Sequence, residues 1–184
     1  MDTKFMQYFA EHLSNRGYRI TRFEFPYMAE RRVTGKKRPP DRLPILLETW
    51  MSIINYLGPE NLVIGGKSMG GRIASQVVAG SDDLAVGGLV FLGYPLHPPG
   101  RPEEPRSAHL PSIDASMLFV QGSLDTFGTP DELRPVVTRC WAAELHVVEG
   151  GDHSLKVRGK DAMTADETYA SVQDAIAAWI AKTL

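Results

Sequence analysis

Three residues of this sequence carry side chains that together can perform nucleophilic catalysis: Ser68, Asp125 and His153. A serine hydroxyl is a poor nucleophile at neutral pH until a base takes its proton, and histidine is the side chain that most often does so. A carboxylate on the far side of the imidazole fixes the tautomer of the ring and stabilises the imidazolium. Serine, acid and histidine follow one another here in an order known for such triads. The residues therefore predict acyl transfer through a serine nucleophile.

The local sequence around Ser68 is G-x-S-x-G, from Gly66 to Gly70. This pattern is meaningful at a sharp turn between a strand and a helix, where small neighbours permit a strained backbone at the serine. An apolar run over residues 62–65 predicts a buried strand before the turn, and helical periodicity over residues 69–79 follows it. Ser68 is then expected at the C-terminal edge of a sheet, with the backbone N–H of Met69 as an oxyanion donor.

The same stretch contains GGKS, which also ends a phosphate-binding loop. That loop requires G-x-x-x-x-G-K-[ST], because its first glycine lets the backbone wrap around the phosphates. The corresponding position here is Asn61, and the four residues after it belong to the predicted strand. No later predicted strand ends in an aspartate that would hold magnesium. These observations disfavour a nucleotide-binding protein.

Asp125 and His153 each follow a predicted strand. Asp125 comes shortly after the strand at residues 117–121, and His153 follows the last strand, at residues 145–149. Taken alone, Asp125 is also typical of a turn or a helix cap, and His153 of an exposed loop. Asp152 is an alternative acid, although adjacent side chains seldom face each other. The ordered combination of serine, acid and base is what favours the triad.

The hydrophobic periodicity predicts alternating helices and strands. Helices are predicted at residues 5–13, 43–57, 69–79 and 165–181, and strands at residues 18–25, 62–65, 87–92, 117–120 and 145–148. Such alternation implies βαβ units. We therefore predict one α/β domain over residues 1–184, with three α/β/α layers and a mainly parallel sheet.

Two segments are predicted as loops. Residues 94–112 contain six prolines, and a loop of this length inside a compact domain is usually functional or disordered. Residues 31–42 contain six Lys or Arg residues among polar and proline positions. Such a charge run usually faces water, and the alternative is an electropositive rim for an anionic substrate.

The composition of the 184 residues limits the classes of protein. A net charge of −2 disfavours a general nucleic-acid binder. Cys140 is the single cysteine, so an internal disulfide is excluded, which fits a reducing, cytoplasmic compartment. The sequence has neither an apolar stretch of membrane-spanning length nor the pattern of a signal peptide. Metal-ligand spacing is absent, and the proposed chemistry needs no cofactor, so the expected partner is a small-molecule substrate.

Five blocks of the sequence together resemble the α/β-hydrolase superfamily, and within it the small dienelactone-hydrolase-like proteins. The blocks are FEFPYMAERR, GGKSMGGR, GYPLHPPGRPE, QGSLDTFG and GGDHSLK. The resemblance covers nearly the whole chain and is more specific than G-x-S-x-G alone. It implies Ser68, Asp125 and His153 as the triad, and residues 94–110 as a loop over the active site.

Candidate substrate contacts follow from this placement. We expect them from Tyr94 and His97 in the proline-rich loop and from Lys67 beside the nucleophile; His109 lies in the same loop. Lys67, Arg72 and the basic segment hint at an anionic group on the substrate. Ester, thioester and lactone substrates are not distinguished by the sequence.

The resemblance also implies an N-terminally short chain. The family supplies a second oxyanion donor from an H-G-x-G stretch after an earlier strand, whereas this sequence begins near the first helix. In the family that strand lies between the strand at residues 18–25 and the strand before Ser68. Either the natural start lies further upstream, or the two strands close up, or a second copy completes the sheet in a homo-oligomer. The gap makes a non-catalytic binding or interaction module the alternative function.

Overall fold

The computed structural model describes residues 3–81, 83–158 and 164–184. In chain order its elements are α1 (Lys4–Asn15), α2 (Pro26–Thr34), α3 (Leu43–Leu57), β1 (Val63–Lys67), α4 (Met69–Ala79), β2 (Gly88–Leu92), a 3₁₀ turn (Leu110–Ser112), β3 (Met117–Gly122), α5 (Pro130–Val137), β4 (Ala143–Val148) and α6 (Ala165–Thr183).

The strands of the described residues form one parallel sheet in the order β1-β2-β3-β4. Phe91 of β2 stands opposite Gly66 of β1 on one side and Phe119 of β3 on the other. Every residue of β2 and β3 is buried, as expected for parallel strands covered on both faces. Helices α3, α4 and α5 pack on one face, and α1 and α6 pack on the other. The predicted three-layer α/β/α architecture is confirmed.

The elements with the strongest periodicity agree best with the prediction. Helices α3 and α4 begin and end at the predicted residues, and the four apolar runs from residue 62 onward form strands β1 to β4. The predicted loop at residues 94–112 is irregular except for its terminal 3₁₀ turn. In each case a continuous apolar run or stripe faces the core, which makes the pattern visible in the sequence.

The strand predicted at residues 18–25 is not formed, and this prediction was wrong. Among the residues that the structure describes, the segment joins no β-ladder, although its aromatic side chains pack as the alternation suggested; Phe23, for example, meets the Trp50 ring at 4.6 Å between centroids. A strand is held by backbone pairing as well as by side-chain burial. The side-chain pattern therefore survives without the strand.

The basic segment at residues 31–42 is partly helical rather than a loop, which corrects a second prediction. Helix α2 starts with Pro26 in its first turn and ends at Gly35, whose φ of 70° is the left-handed conformation of a helix cap. The helix buries none of its residues, so its sequence has no apolar stripe from which a helix could be predicted. Arg38 forms ion pairs with Glu30 and Asp41, which neutralise part of the segment's charge.

Helix α5 was also missing from the predicted elements. It has eight residues, a proline at position 135 and a capping box between Thr129 and Glu132. A helix this short presents too few apolar positions for a periodicity to be recognised. The cap residues were the available signal, since threonine followed three residues later by glutamate is typical of a helix start.

Candidate active site

Ser68 occupies the turn between β1, which ends at Lys67, and α4, which begins at Met69. Its backbone has φ 53° and ψ −123°, a conformation that is strained for a residue with a side chain. Small residues are needed around the turn because the neighbouring backbone comes very close. A Cβ atom at Gly71 would lie 2.7 Å from the Gly66 carbonyl oxygen, so this position demands a residue without a side chain, whereas a Cβ atom at Gly66 would make a tight contact of 3.3 Å with the Gly71 nitrogen.

The structure brings the three predicted catalytic side chains into one hydrogen-bonded chain. His153 Nε2 lies 2.9 Å from Ser68 Oγ, and His153 Nδ1 lies 2.8 Å from Asp125 Oδ2. A carboxylate accepts only, so Nδ1–H donates to Asp125, which leaves Nε2 to accept the hydroxyl proton of Ser68. These distances are those at which a base can take a proton from a nucleophile.

Asp125 is fully buried and is held by two donors besides the imidazole. The Gln121 side-chain amide donates to Oδ2 at 2.8 Å, and the Phe127 N–H donates to Oδ1 at 2.8 Å. A buried carboxylate needs such partners, because burial penalises the charge unless hydrogen bonds compensate. The carboxylate is therefore fixed in the position that orients His153.

Gln121 is a site residue that the sequence analysis missed. It is the second-last residue of β3. Its side-chain amide also donates to the Gly128 carbonyl at 2.7 Å and accepts from the Tyr94 N–H at 2.8 Å. It thus links the turn after β3 to the turn after β2. A polar residue inside an apolar strand, four positions before the candidate acid, was the signal that could have identified it.

The loop after β4 carries both His153 and Asp152, the alternative acid. Asp152 Oδ1 accepts from the backbone N–H groups of Ser154 and Lys156, at 2.8 and 3.1 Å. The alternative acid therefore stabilises its own loop. The Phe127 ring lies against His153, with 4.2 Å between ring centroids, and limits the movement of the imidazole.

Met69 directly follows Ser68 and is the first residue of α4. The first N–H groups of a helix have no acceptor inside the helix, and the helix dipole adds partial positive charge there. The Met69 N–H is thus available at the place where the predicted oxyanion would form.

Lys67, which directly precedes Ser68, is half-buried and contacts α1. Its Nζ lies 5.5 Å from the centre of the Phe5 ring, a cation–π distance. Burial lowers the pKa of the Lys67 ammonium, while the negative charges of Asp125 and Asp152 oppose that shift. Of the two carboxylates, Asp125 has the larger effect.

The side chains of Tyr94 and His97, two of the predicted substrate contacts, have partners within the protein. The Tyr94 hydroxyl donates to the Arg106 carbonyl at 2.8 Å, and its ring packs among Phe91 and Phe119. Burial raises the pKa of Tyr94 to about 12. His97 is buried beside Glu132, with its Nε2 3.2 Å from Oε1. Both side chains anchor the proline-rich loop.

An apolar cavity of about 460 Å³ runs along the outer edge of β1. It lies between β1 and residues 18–23, with side chains of α1 and α6 on one side and of α3 on the other. Ser68, Asp125 and His153 are not among its lining residues. The cavity therefore borders the strand that leads to Ser68 without containing the three predicted catalytic side chains.

The outer edge of β1 presents backbone groups to this cavity. The Leu62 carbonyl accepts from Gly87 and the Ser68 N–H donates to Leu92, so the even-numbered residues face β2. Backbone groups alternate along a parallel strand, which turns those of Val63, Gly65 and Lys67 towards the outer edge. Within the described residues β1 pairs only with β2.

Two further properties concern the described ranges as a whole. Residues 3–81, 83–158 and 164–184 hold no group of three His, Cys, Asp or Glu side chains placed to bind a metal ion. No helix in those ranges combines the length and apolar character needed to cross a bilayer.

Comparisons with known proteins agree with this architecture. A family model described as an alpha/beta hydrolase domain matches residues 1–181. Similar solved structures include a dienelactone hydrolase from Anabaena variabilis, with 16% sequence identity, a TM-score of 0.73, and coverage of 100% of this chain and 81% of that chain. An esterase from Exiguobacterium antarcticum has 15% identity, a TM-score of 0.70, and coverage of 96% and 86%. An alpha-beta serine hydrolase homologue from Coxiella burnetii has 17% identity, a TM-score of 0.68, and coverage of 96% and 76%. At such identities the structural similarity establishes the fold.

Proposed function

Because the chain belongs to the alpha/beta hydrolase domain family, we propose that it is a serine hydrolase acting through an acyl-enzyme on Ser68. The proposed substrate is a small molecule with an ester-like bond, whether ester, thioester or lactone. The observation that carries the proposal is the continuous hydrogen-bonded path from Ser68 through His153 to the buried Asp125. Packing alone requires no such path, and backbone strain of the kind found at Ser68 clusters at functional sites.

The acylation half-reaction uses the side chains in fixed roles. His153 Nε2 takes the proton of Ser68 while Oγ forms a bond to the carbonyl carbon of the substrate. The carbonyl electrons move to the oxygen, which accepts a hydrogen bond from the Met69 N–H. Asp125 stabilises the imidazolium that results. The oxyanion then collapses, His153 donates the proton to the leaving oxygen or sulfur, and the acyl group remains on Ser68.

Deacylation repeats these roles with water. His153 takes a proton from a water molecule, whose oxygen attacks the acyl carbon. The bond to Ser68 Oγ breaks, and Oγ recovers its proton from His153. The free acid leaves and the triad returns to its starting protonation state. No metal or redox group is needed for either half-reaction.

Among the three predicted substrate contacts we propose Lys67, because the negative charges of Asp125 and Asp152 act on its ammonium. Tyr94 and His97 are instead proposed to hold the loop that borders the site. A half-buried ammonium with no carboxylate hydrogen bond in the described residues favours a substrate with a negative group near the scissile bond.

A non-catalytic binding module is the second candidate function, and the open outer edge of β1 is the observation that favours it. Serine hydrolases normally use two oxyanion donors, and the Met69 N–H is one. Loss of a single donor lowers kcat by about 10²–10³-fold. Slow turnover through an intact triad is therefore expected if β1 stays open, and no turnover at all would favour the module.

The test is direct trapping of the acyl group. Wild-type protein is mixed with a panel of p-nitrophenyl esters, acyl thioesters and lactones, quenched in acid and analysed by mass spectrometry of peptides. We expect an acyl mass on the peptide that contains Ser68, and product release in steady state. The matched control is Ser52→Ala on the exposed face of α3, beside Ser68→Ala. Folded wild-type protein that neither accumulates acyl groups nor releases product with any panel member would contradict the proposal.

A further inference from the structure

Three basic side chains meet where α4 packs against the proline-rich loop: Arg72, Arg106 and His109. We call this group the arginine cluster. Arg72 lies one helical turn after Ser68, whose carbonyl accepts from its N–H at 3.2 Å. Arg106 and His109 come from the far end of the loop, which returns to α4 at its 3₁₀ turn. The cluster therefore joins two separate segments of the chain.

The backbone around the cluster is firmly positioned. The Arg106 N–H donates to the Leu96 carbonyl at 2.7 Å, and its carbonyl accepts from the Tyr94 hydroxyl at 2.8 Å. Ser75 is buried and donates its hydroxyl to the Arg72 carbonyl at 2.8 Å. Because that proton is used, His109 Nε2, 2.8 Å away, is the donor to Ser75 Oγ.

The positive charge of the cluster lacks a negative partner. The ion pairs formed among residues 3–81, 83–158 and 164–184 include neither Arg72 nor Arg106. Within the part of the chain that the structure describes, the one side-chain hydrogen bond of Arg72 is a long 3.4 Å contact from its guanidinium to the neutral Gln76 amide, and its Nε is buried without an acceptor. A buried, unpaired polar donor is costly in a folded protein.

Neighbouring charges make this arrangement less favourable still. Burial and the positive charge of Arg106 lower the pKa of Arg72, and burial and Arg72 lower the pKa of His109. Tyr94 supplies no compensating charge, because burial raises the pKa of its hydroxyl to about 12. Two guanidinium groups thus act on each other without a compensating negative charge among the described residues.

We propose that the arginine cluster binds a small oxyanion, a phosphate or carboxylate group, between α4 and the proline-rich loop. Guanidinium groups recognise both groups through paired N–H donors, and such an anion would satisfy the buried Arg72 Nε. Bound there, it ties the loop to the helix that starts at the nucleophile. The site is separate from the triad, and its existence does not depend on whether Ser68 is acylated.

The experiment monitors the unpaired Arg72 Nε–H directly. Wild-type protein is titrated with inorganic phosphate, and separately with acetate, at constant ionic strength adjusted with sodium chloride. The ¹H–¹⁵N resonance of the Arg72 Nε–H reports binding, since a new acceptor moves it downfield. We expect a saturable shift with one or both probes; saturation by phosphate alone or acetate alone identifies which group the site prefers.

Two matched variants make the assignment specific. Arg106→Gln removes one guanidinium of the cluster, and Arg101→Gln removes a guanidinium that is exposed in the same loop and paired with Glu104. The dissociation constant is expected to rise about tenfold or more in Arg106→Gln and to stay unchanged in Arg101→Gln. Arg106 is only half-buried, so its replacement leaves the fold measurable even where Arg72→Gln does not fold.

Two results would overturn the proposal. One is the absence of a saturable shift with both probes on folded wild-type protein. The other is an equal affinity in Arg106→Gln and wild type, which would mean an adventitious ion only.

Discussion

The two flanks of Ser68 differ in how completely their polar groups are paired. On the inner flank, towards β3 and β4, Asp125 is buried but is held by His153, Gln121 and the Phe127 N–H. On the outer flank, β1 turns the backbone of alternate residues towards an apolar cavity. Its outer edge pairs with no strand of the described chain, whereas its inner edge pairs with β2. In the proposed mechanism the inner flank carries proton transfer, and the outer flank is where further oxyanion stabilisation would be added.

The difference shows that half of the proposed machinery is preorganised. Proton transfer depends on distances fixed to within a few tenths of an ångström, and the buried network supplies that rigidity. The outer edge is only half-buried, so its backbone groups can be hydrated at little cost. The inner flank is therefore expected to respond strongly to substitution, and the outer flank weakly.

The largest effect is expected for Asp125→Asn on the inner flank. An amide at this position can hold the imidazole in the wrong tautomer, with Nε2 protonated and unable to accept from Ser68. The kcat for a reactive ester should fall by roughly 10³–10⁴-fold with the fold preserved. Asp114→Asn, at an exposed position, is the control. A loss of less than about tenfold would remove Asp125 from the triad.

Gln121→Leu should affect both stability and activity. The change leaves the buried Tyr94 N–H and Gly128 carbonyl without their partners and removes one donor from Asp125. We expect a loss of about 2–4 kcal/mol in the free energy of unfolding, measured in urea, and a smaller fall in kcat than for Asp125→Asn. Unchanged stability would show that the link between the turns after β2 and β3 is not needed.

A pair of valine truncations compares the two flanks directly. Val120 in β3 is fully buried, whereas Val63 in β1 is half-buried and lines the cavity. Val120→Ala should cost about 2 kcal/mol of unfolding free energy, and Val63→Ala about 1 kcal/mol or less. Equal losses would mean that the outer edge is packed as tightly as the inner sheet in solution.

The smallest effect concerns His146 in β4. Burial lowers the pKa of His146 below its ordinary 6.5, so the folded state favours the neutral ring. The unfolded chain then binds more protons below pH 6.5, and the free energy of unfolding falls as the pH drops from 6.5 towards the lowered pKa. His146→Gln should make stability less dependent on pH in that window. An equally steep dependence in the variant would exclude His146 as its source.

The sequence predicted those features that repeat a local pattern. The strand–turn–helix at Ser68 was visible because an apolar run, small residues and helical periodicity follow one another within 18 residues. The positions of Asp125 and His153 followed from the ends of two apolar strands. These are the residues that the structure brings within hydrogen-bond distance.

Other features depend on contacts that the local sequence does not contain. The alternation at residues 18–25 indicated side-chain burial correctly, but whether a strand forms depends on a neighbour elsewhere in the chain. Tyr94 lies two residues after the end of β2, yet its side chain packs in the core against Phe91 and Phe119. The role of Gln121 depends on two loops, after β2 and after β3, that meet only after folding.

The measurement that tests the central claim most directly is intact mass after exposure to a fluorophosphonate probe. Such a probe reacts with a serine only when a base and an oxyanion site activate it. Wild-type protein should gain one phosphonyl group, Ser68→Ala should gain none, and Asp125→Asn should react far more slowly. Well-folded wild-type protein that gains no mass, or an adduct that persists in Ser68→Ala, would contradict the assignment of Ser68 as the nucleophile.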